Sequence, residues 1–494
     1  MKNIFNKFKK FICDNKYSII VMSIYTLIGI RLLFIHEPWR DEAQAWLISR
    51  DLSFIGIFKQ MYYEGHPCLW HLILAPFSKL GFPYFTVNII SYVITWFTAL
   101  LILKKAPFNK IAKIIIIFSL PFMYNYSVIA RNYCLIPLAF ALIAINYKNR
   151  NEKPIRYTLS ILLLAWTHVV MSGTAGILYL LFFWERFITN RKSNNKSDYK
   201  INFICLIVAT IGLLLYVIPI GLGASSCNLI NTEVRTDYFY ILKYISKLIF
   251  YKTDTSYLIL LGGLLIIFLI YELIYYRKNL LILLVTFIYH IFVYYNVYYL
   301  STQRSEIYIF LFMFIIWIQK YEKDFSNNLK KILNTIIPIV MLILLCKYNS
   351  TNKYSIINDI DYTYSEAKNT GTYIQENIKN NSIIITPDIP QTSSVIPFVD
   401  KNKNISFFGL NSNEYFTYVT WTYPNDIYDE KYLKNIINTK FKNKNNLYVL
   451  CGNTECLNYQ NLIQEGFLTP IYNTDFSTVE AYSLYKVNKK TDNN

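Results

Sequence analysis

Long apolar runs separated by short polar breaks fill the chain up to about residue 348. A helix crossing the hydrocarbon core needs ~20 mostly apolar residues, because the core is ~30 Å thick and a helix rises ~1.5 Å per residue. Spans are expected near 17–36, 84–103, 111–128, 133–147, 155–168, 170–187, 200–223, 256–276, 279–298, 304–320 and 330–347, about eleven in all. The apolar segment 66–80 (HPCLWHLILAPFSKL) is short for a span. It reads as a helix in or on the outer leaflet, started by Pro67 at its first turn, where a missing N–H costs nothing. Past Tyr348 the period changes: helical stretches near 364–380, 390–398, 429–440 and 457–465 alternate with SIIIT (382–386), ISFFGL (405–410), LYVL (447–450), FLTPIY (467–472) and AYSLYKV (481–487). Such alternation predicts a small α/β domain over 349–494, behind a membrane domain over 1–348.

Composition agrees: 54% of the 494 residues are hydrophobic and 16% charged, too little charge for one water-soluble core. The net charge of +18 is unevenly placed, since residues 350–494 hold 13 Lys, no Arg and 15 acids. The basic excess therefore belongs to the apolar part, where it sets orientation and gives no nucleic-acid footprint. Basic groups at Lys2–Lys10, Lys104–Lys113, Lys148–Lys153, Arg186–Lys192, Arg277–Lys278 and Lys320–Lys331 all fall on one side of alternating spans. That side is cytoplasmic and includes the N-terminus. Residues 37–83, 129–132, 224–255 and 299–303 then form outer loops, and the α/β domain is extracytoplasmic. The first span lacks a cleavage pattern and is expected to stay as an anchor. Cys13, Cys134, Cys205 and Cys346 read as small buried hydrophobes, while Cys451 and Cys456, close together on the oxidising side, suit a disulfide.

Charge is scarce outside the basic loops, so the first outer loop, HEPWRDEAQAWLISRDLSFIGIFKQMYYEGHPCLW (36–70), stands out. Arg40, Asp41 and Glu42 are adjacent, and Glu64, Gly65, His66 and Pro67 close the loop. Ionisable groups at a membrane boundary are costly unless they pair or work. Asp41 and Glu42 suit a general base or a divalent cation, or else a helix start in solvent. Arg131 and Tyr133 lie in VIARNYCL between the third and fourth spans, His168 ends the fifth, and Arg304 opens the tenth. Arg suits a lipid-linked phosphate, its fork matching the oxygens, and suits headgroup anchoring equally. A lone His168 also reads as a structural residue, and Tyr124 and Tyr126 as part of an interfacial aromatic belt.

Taken in order, a first span, WRDEAQAW, YYEGHPCLWHLILAPF, a span ending in Lys-Lys and a span leading into ARNYCL resemble the GT-C superfamily of membrane glycosyltransferases. The chain is most similar to bacterial relatives of protein O-mannosyltransferases and of the lipid A aminoarabinose transferase. Residues 17–190 carry the matching motifs. The family's acidic motif matches Asp41 and Glu42, with Asp41 as base. Its Gly-His-Pro matches Gly65, His66 and Pro67, and its Arg-x-Tyr matches Arg131 and Tyr133. Cys68 stands where relatives often have a second Pro, and the basic motif near the tenth span is reduced to Arg304. The resemblance implies a multi-pass protein of the bacterial cell membrane. It would transfer a sugar from a polyprenyl-phosphate donor to a lipid, glycan or protein acceptor on the outer face, by an inverting displacement. Catalysis falls to Asp41 and Glu42; phosphate or substrate binding falls to Arg40, Glu64, His66, Arg131, Tyr133, His168 and Arg304. The resemblance fixes no cofactor, and a divalent metal stays open. The rival reading from the spans alone is a transporter or flippase of a lipid-linked saccharide. Against it stand the scarcity of midplane charge and the large outer domain.

Overall fold

The computed structural model describes residues 2–193, 196–220, 266–296, 301–321, 356–421, 429–452, 459–474, 477 and 479–489. The expected span 330–347, the outer loop 224–255, the start of the expected span 256–276 and Cys456 lie outside the described residues. The first 300 or so residues are helical where described, and a sheet domain closes the chain.

Among the described residues, three helices are long and apolar enough to cross a membrane: Asp14–Ile35, Thr86–Lys105 and Arg277–Tyr294. The first is the apolar end of α1 (Lys2–Ile35), the second is α5 (Thr86–Lys105), and the third lies in α11 (Arg277–Asn296). Each lacks an interior Pro, and each leaves large apolar side chains uncovered by protein, among them Leu27, Phe34, Val93 and Ile288. Shorter apolar helices occupy Asn132–Tyr147, Lys200–Leu215 and Ile266–Tyr275. Between these lie α6 (Lys110–Ile117), α7 (Leu135–Tyr147), α8 (Pro154–Thr167), α9 (Ser172–Ser193), α10 (Lys196–Ile220) and α12 (Ile307–Gln319). Helix α12 is apolar on all sides and packs at the centre, with Tyr308, Phe310, Phe314 and Trp317 buried.

Two sequence expectations change here. The segment 111–128 is not one helix: α6 stops at Phe118, and a π-helical turn over Pro121–Asn125 follows, since Pro121 brings no N–H to the ladder. That break swings residues 126–134 inward, with Tyr124 and Tyr126 fully buried and not in an interfacial belt. Segment 66–80 is helical as α4 (Leu69–Lys79), but Pro67 precedes it. Its Trp70, Leu74 and Ala75 face protein, packing with Trp46, Leu47 and Ile48 of α2 (Arg40–Asp51). Between them runs α3 (Phe54–Glu64), ended by Gly65 at φ 67°, a left-handed cap that a side chain would resist.

The sheet domain has strands β1 (Ile383–Thr386), β2 (Ser406–Gly409), β3 (Glu414–Phe416), β4 (Leu447–Gly452), β5 (Leu468–Asn473) and β6 (Tyr482–Val487), in the order β3-β2-β1-β4-β6-β5. Strands β1, β2 and β4 run parallel; the outer three are antiparallel. Both faces of the central strands are buried, and the alternation sorts them. Ile383, Ile385, Phe408 and Val449 pack on Leu433, Ile436 and Ile437 of a helix at Glu430–Thr439. Ile384, Phe407, Leu450 and Leu484 share a core with Trp46, Leu47, Trp70 and Leu74 of the first-loop helices. The sheet domain therefore shares its core with α2 and α4. Cys451, at the end of β4, is disulfide-bonded.

Candidate active site

Asp41 and Glu42 are consecutive in the first turn of α2, and a helix turns by about 100° per residue, so the two carboxylates leave on different sides. Glu42 goes inward and is fully buried. Its Oε2 accepts the Trp39 N–H at 3.0 Å and lies 3.1 Å from His36 Nε2. Its Oε1 accepts Asn88 Nδ2 at 2.7 Å and the Ala130 N–H at 2.6 Å. On the far side of His36, Nδ1 is 3.2 Å from Asp359 Oδ2, which also takes the Tyr124 hydroxyl. Burial opposes charge on His36, but the carboxylates of Glu42 and Asp359 outweigh it and push its pKa up to about 10. The ring therefore donates to both. Glu42, expected beside Asp41 in catalysis, has its acceptor capacity used within the protein. We assign it the holding of α1, α2, α5 and the 126–134 loop in register.

Asp41 goes outward, about a third exposed, and pairs with Arg131 at 3.0 Å between Oδ2 and Nη1. Arg131 also donates to Gln303 Oε1 at 3.0 Å, and its guanidinium lies 5.3 Å from the Tyr133 ring centre. Tyr133 Oη accepts Arg304 Nε at 3.2 Å and is 3.3 Å from His168 Nε2. Since His168 Nδ1 accepts the Val170 N–H at 3.1 Å, the neutral ring carries its proton on Nε2 and donates it to Tyr133. With both lone pairs engaged, Tyr133 retains its own proton to give.

Glu64 and His66 complete the cluster from the other end of the loop. The rings of His66 and His168 are centred 6.4 Å apart, and His66 stacks on His71 at 5.4 Å. His66 Nδ1 faces the Pro67 carbonyl at 3.3 Å, which leaves the Nε2 lone pair toward Glu64 Oε2, 3.9 Å away. Burial, with help from Arg131 and Arg304, holds His66 down at about 4, so the ring is neutral. Burial pushes Glu64 up to about 7, against three donors to its Oε1: Gln44 at 2.7 Å, and Gln60 and Trp421 at 3.2 Å. Gln44 also clamps Val419, accepting its N–H at 2.8 Å and donating to its carbonyl at 2.7 Å.

The seven groups Asp41, Glu64, His66, Arg131, Tyr133, His168 and Arg304 thus form one connected cluster. Arg40 does not join it. It is exposed, its backbone N–H donates to Glu480 Oε1 at 3.2 Å, and its charge acts on Glu480 and Asp388 of the sheet domain. Sequence reasoning missed Gln44, Asn88, Gln303, Asp359 and Glu480. Among the described residues no three His, Cys, Asp or Glu side chains gather as a metal site.

Glu37, Glu64 and Glu480 all have pKa values raised by burial to about 7 from 4.5. A raised carboxyl stabilises the fold below 4.5, and that contribution is lost as pH climbs through about 7. His36 acts in the same direction, from 6.5 up to about 10. His66, held down at about 4, acts the other way below pH 6.5, so the measure is a difference: between about pH 5 and about pH 8 the melting temperature of wild type should drop relative to that of the Glu64→Gln, Glu480→Gln double variant. An unchanged slope in the double variant would show that these two carboxyls titrate normally.

No family model matches the chain, and neither a curated protein nor a solved structure matches it.

Proposed function

We propose that the chain is a GT-C-like glycosyltransferase of about eleven transmembrane helices, with its N-terminus cytoplasmic and its sheet domain outside. It moves a sugar from a polyprenyl-phosphate donor to an acceptor at the outer face. The observation that carries this reading is the cluster itself. Five separate stretches, at 41, 64–66, 131–133, 168 and 304, converge so that a base, two cations and a phenol stand together.

In the resting arrangement Arg131 is held by Asp41. The donor phosphodiester, a monoanion whose two free oxygens fit the guanidinium fork and can bridge Arg131 and Arg304, competes with Asp41 for Arg131, so its arrival frees Asp41. Asp41 then takes the proton of the acceptor hydroxyl, whose oxygen attacks the anomeric carbon opposite the phosphate. The bond from that carbon to the phosphate oxygen breaks, and polyprenyl phosphate leaves with the electron pair. The configuration inverts, because one displacement occurs. The arginines and the Tyr133 hydroxyl meet charge that grows on the leaving oxygen.

The test is release of polyprenyl phosphate from a polyprenyl-phosphate sugar by the protein in detergent, where transport has no meaning. Turnover is expected. Arg304→Ala should raise KM by about 10–100-fold, the worth of a charge-assisted contact. A protein that binds the donor and never cleaves it, with or without acceptor, would return the transporter reading.

A further inference from the structure

A cavity of about 690 Å³ lies between β2, the edge strand β3 and the C-terminal end of α2. Its apolar wall includes Phe407 and Phe416, a cross-strand pair with ring centres 6.3 Å apart, and Tyr418 beside them. Its polar wall includes Arg50, Asp400, Lys401 and Glu414. Two cations and two acids line it, and both cations are tied to Asp51 besides: Arg50 Nε at 2.8 Å and Lys401 Nζ at 2.9 Å. A site so neutralised offers an anion no net field. Aromatic faces beside exposed hydroxyls and paired charges suit a neutral, polyhydroxylated ligand, whose C–H faces stack and whose hydroxyls hydrogen-bond.

The cavity is joined to the cluster by one short segment. Thr417, Tyr418 and Thr420 line the cavity, while the alternate residues Val419 and Trp421 turn the other way. Val419 is clamped by Gln44, and the Trp421 indole donates to Glu64. Trp421 sits at φ 58°, a left-handed conformation that bulky residues rarely hold without outside support. A ligand in the cavity therefore leans on a wall whose back touches Glu64.

We propose that this cleft binds the acceptor, and that the acceptor is a neutral saccharide chain. The acceptor role rests on the transferase reading above; saccharide binding by the cleft does not. The test uses the full chain in an amine-oxide detergent, which has no sugar headgroup to compete, on an array of neutral and acidic oligosaccharides and Ser/Thr-rich peptides. At least one neutral oligosaccharide should bind, and Phe416→Ala and Thr417→Arg should each weaken it by about tenfold or more. Thr417 is exposed, so Thr417→Arg fills the cleft without opening the core, and it decides the matter if Phe416→Ala melts early. A wild type that never cleaves the donor, with or without acceptor, would overturn the transferase reading while leaving saccharide binding to stand. Binding only of acidic glycans or peptides, no binding at all, or binding indifferent to both variants would overturn the cleft assignment.

Discussion

Replacing Asp41 with Asn should lower sugar transfer by about 10²–10⁴-fold, the span general-base catalysis contributes, with the melting temperature close to that of the wild type. The asparagine oxygen can still accept from Arg131, so the 3.0 Å contact and the resting geometry survive. What is lost is the capacity to take a proton. The drop belongs in kcat, because the donor phosphate is bound by Arg131 and Arg304 in either protein. Donor cleavage and transfer measured over a range of donor concentrations separate the two terms. Transfer within a few-fold of wild type would take the base role from Asp41. Glu64 would then be the next carboxylate to test, since it stands in the same cluster, is buried and has its pKa raised to about 7. The Glu64→Gln variant keeps the donors from Gln44, Gln60 and Trp421 satisfied. It should therefore affect transfer far less than Asp41→Asn if Asp41 is the base.

Much of this cluster is legible from residue type and topological position. An acidic pair after a first apolar helix, a Gly-His-Pro in the loop that follows, and an Arg-x-Tyr, a His and an Arg at the ends of apolar stretches are ionisable groups where the sequence is otherwise apolar, and expensive groups at such places are there for a reason. The division of labour between Asp41 and Glu42 is not legible, because it depends on which side of α2 meets α5 and the 126–134 loop. Asp359 is invisible for a related cause: it lies 323 residues from His36, in a short polar stretch with no motif of its own. Gln44, Gln60 and Gln303 are neutral amides that only a fold can aim. In the sheet domain, five strands announce themselves by apolar runs, whereas β3, with Glu414 and Tyr415 exposed at the sheet edge, reads as loop. The 66–80 helix reads from its apolar face as one lying in or on the outer leaflet, and in the structure Trp70 and Leu74 on that helix share a core with α2 and the sheet domain. Its apolar face looks the same whether lipid or protein covers it, so composition cannot separate the two.

The largest loss of stability should come from Glu42→Ala, not from any residue of the reactive cluster. Removing the carboxylate strands the Trp39 and Ala130 N–H groups and the Asn88 amide, and it leaves a charged His36 with Asp359 alone. Breaking a buried ion pair by deleting one partner costs about 3–5 kcal/mol, so little folded protein should survive extraction. Glu42→Gln is the informative companion. Its amide oxygen can keep Asn88 and Ala130, and its amide nitrogen can donate to His36 Nε2 once that ring gives up a proton, which leaves only the Trp39 N–H without an acceptor. That variant should fold with a loss of about 1–3 kcal/mol, the cost of one stranded donor. It should also lose the stability that wild type sheds between pH 6.5 and about 10, because His36 would no longer be held charged between two carboxylates. Thermal melting of both variants across that range measures each statement. If Glu42→Ala melts with wild type while Asp41→Asn unfolds, the roles assigned to the two neighbours are reversed.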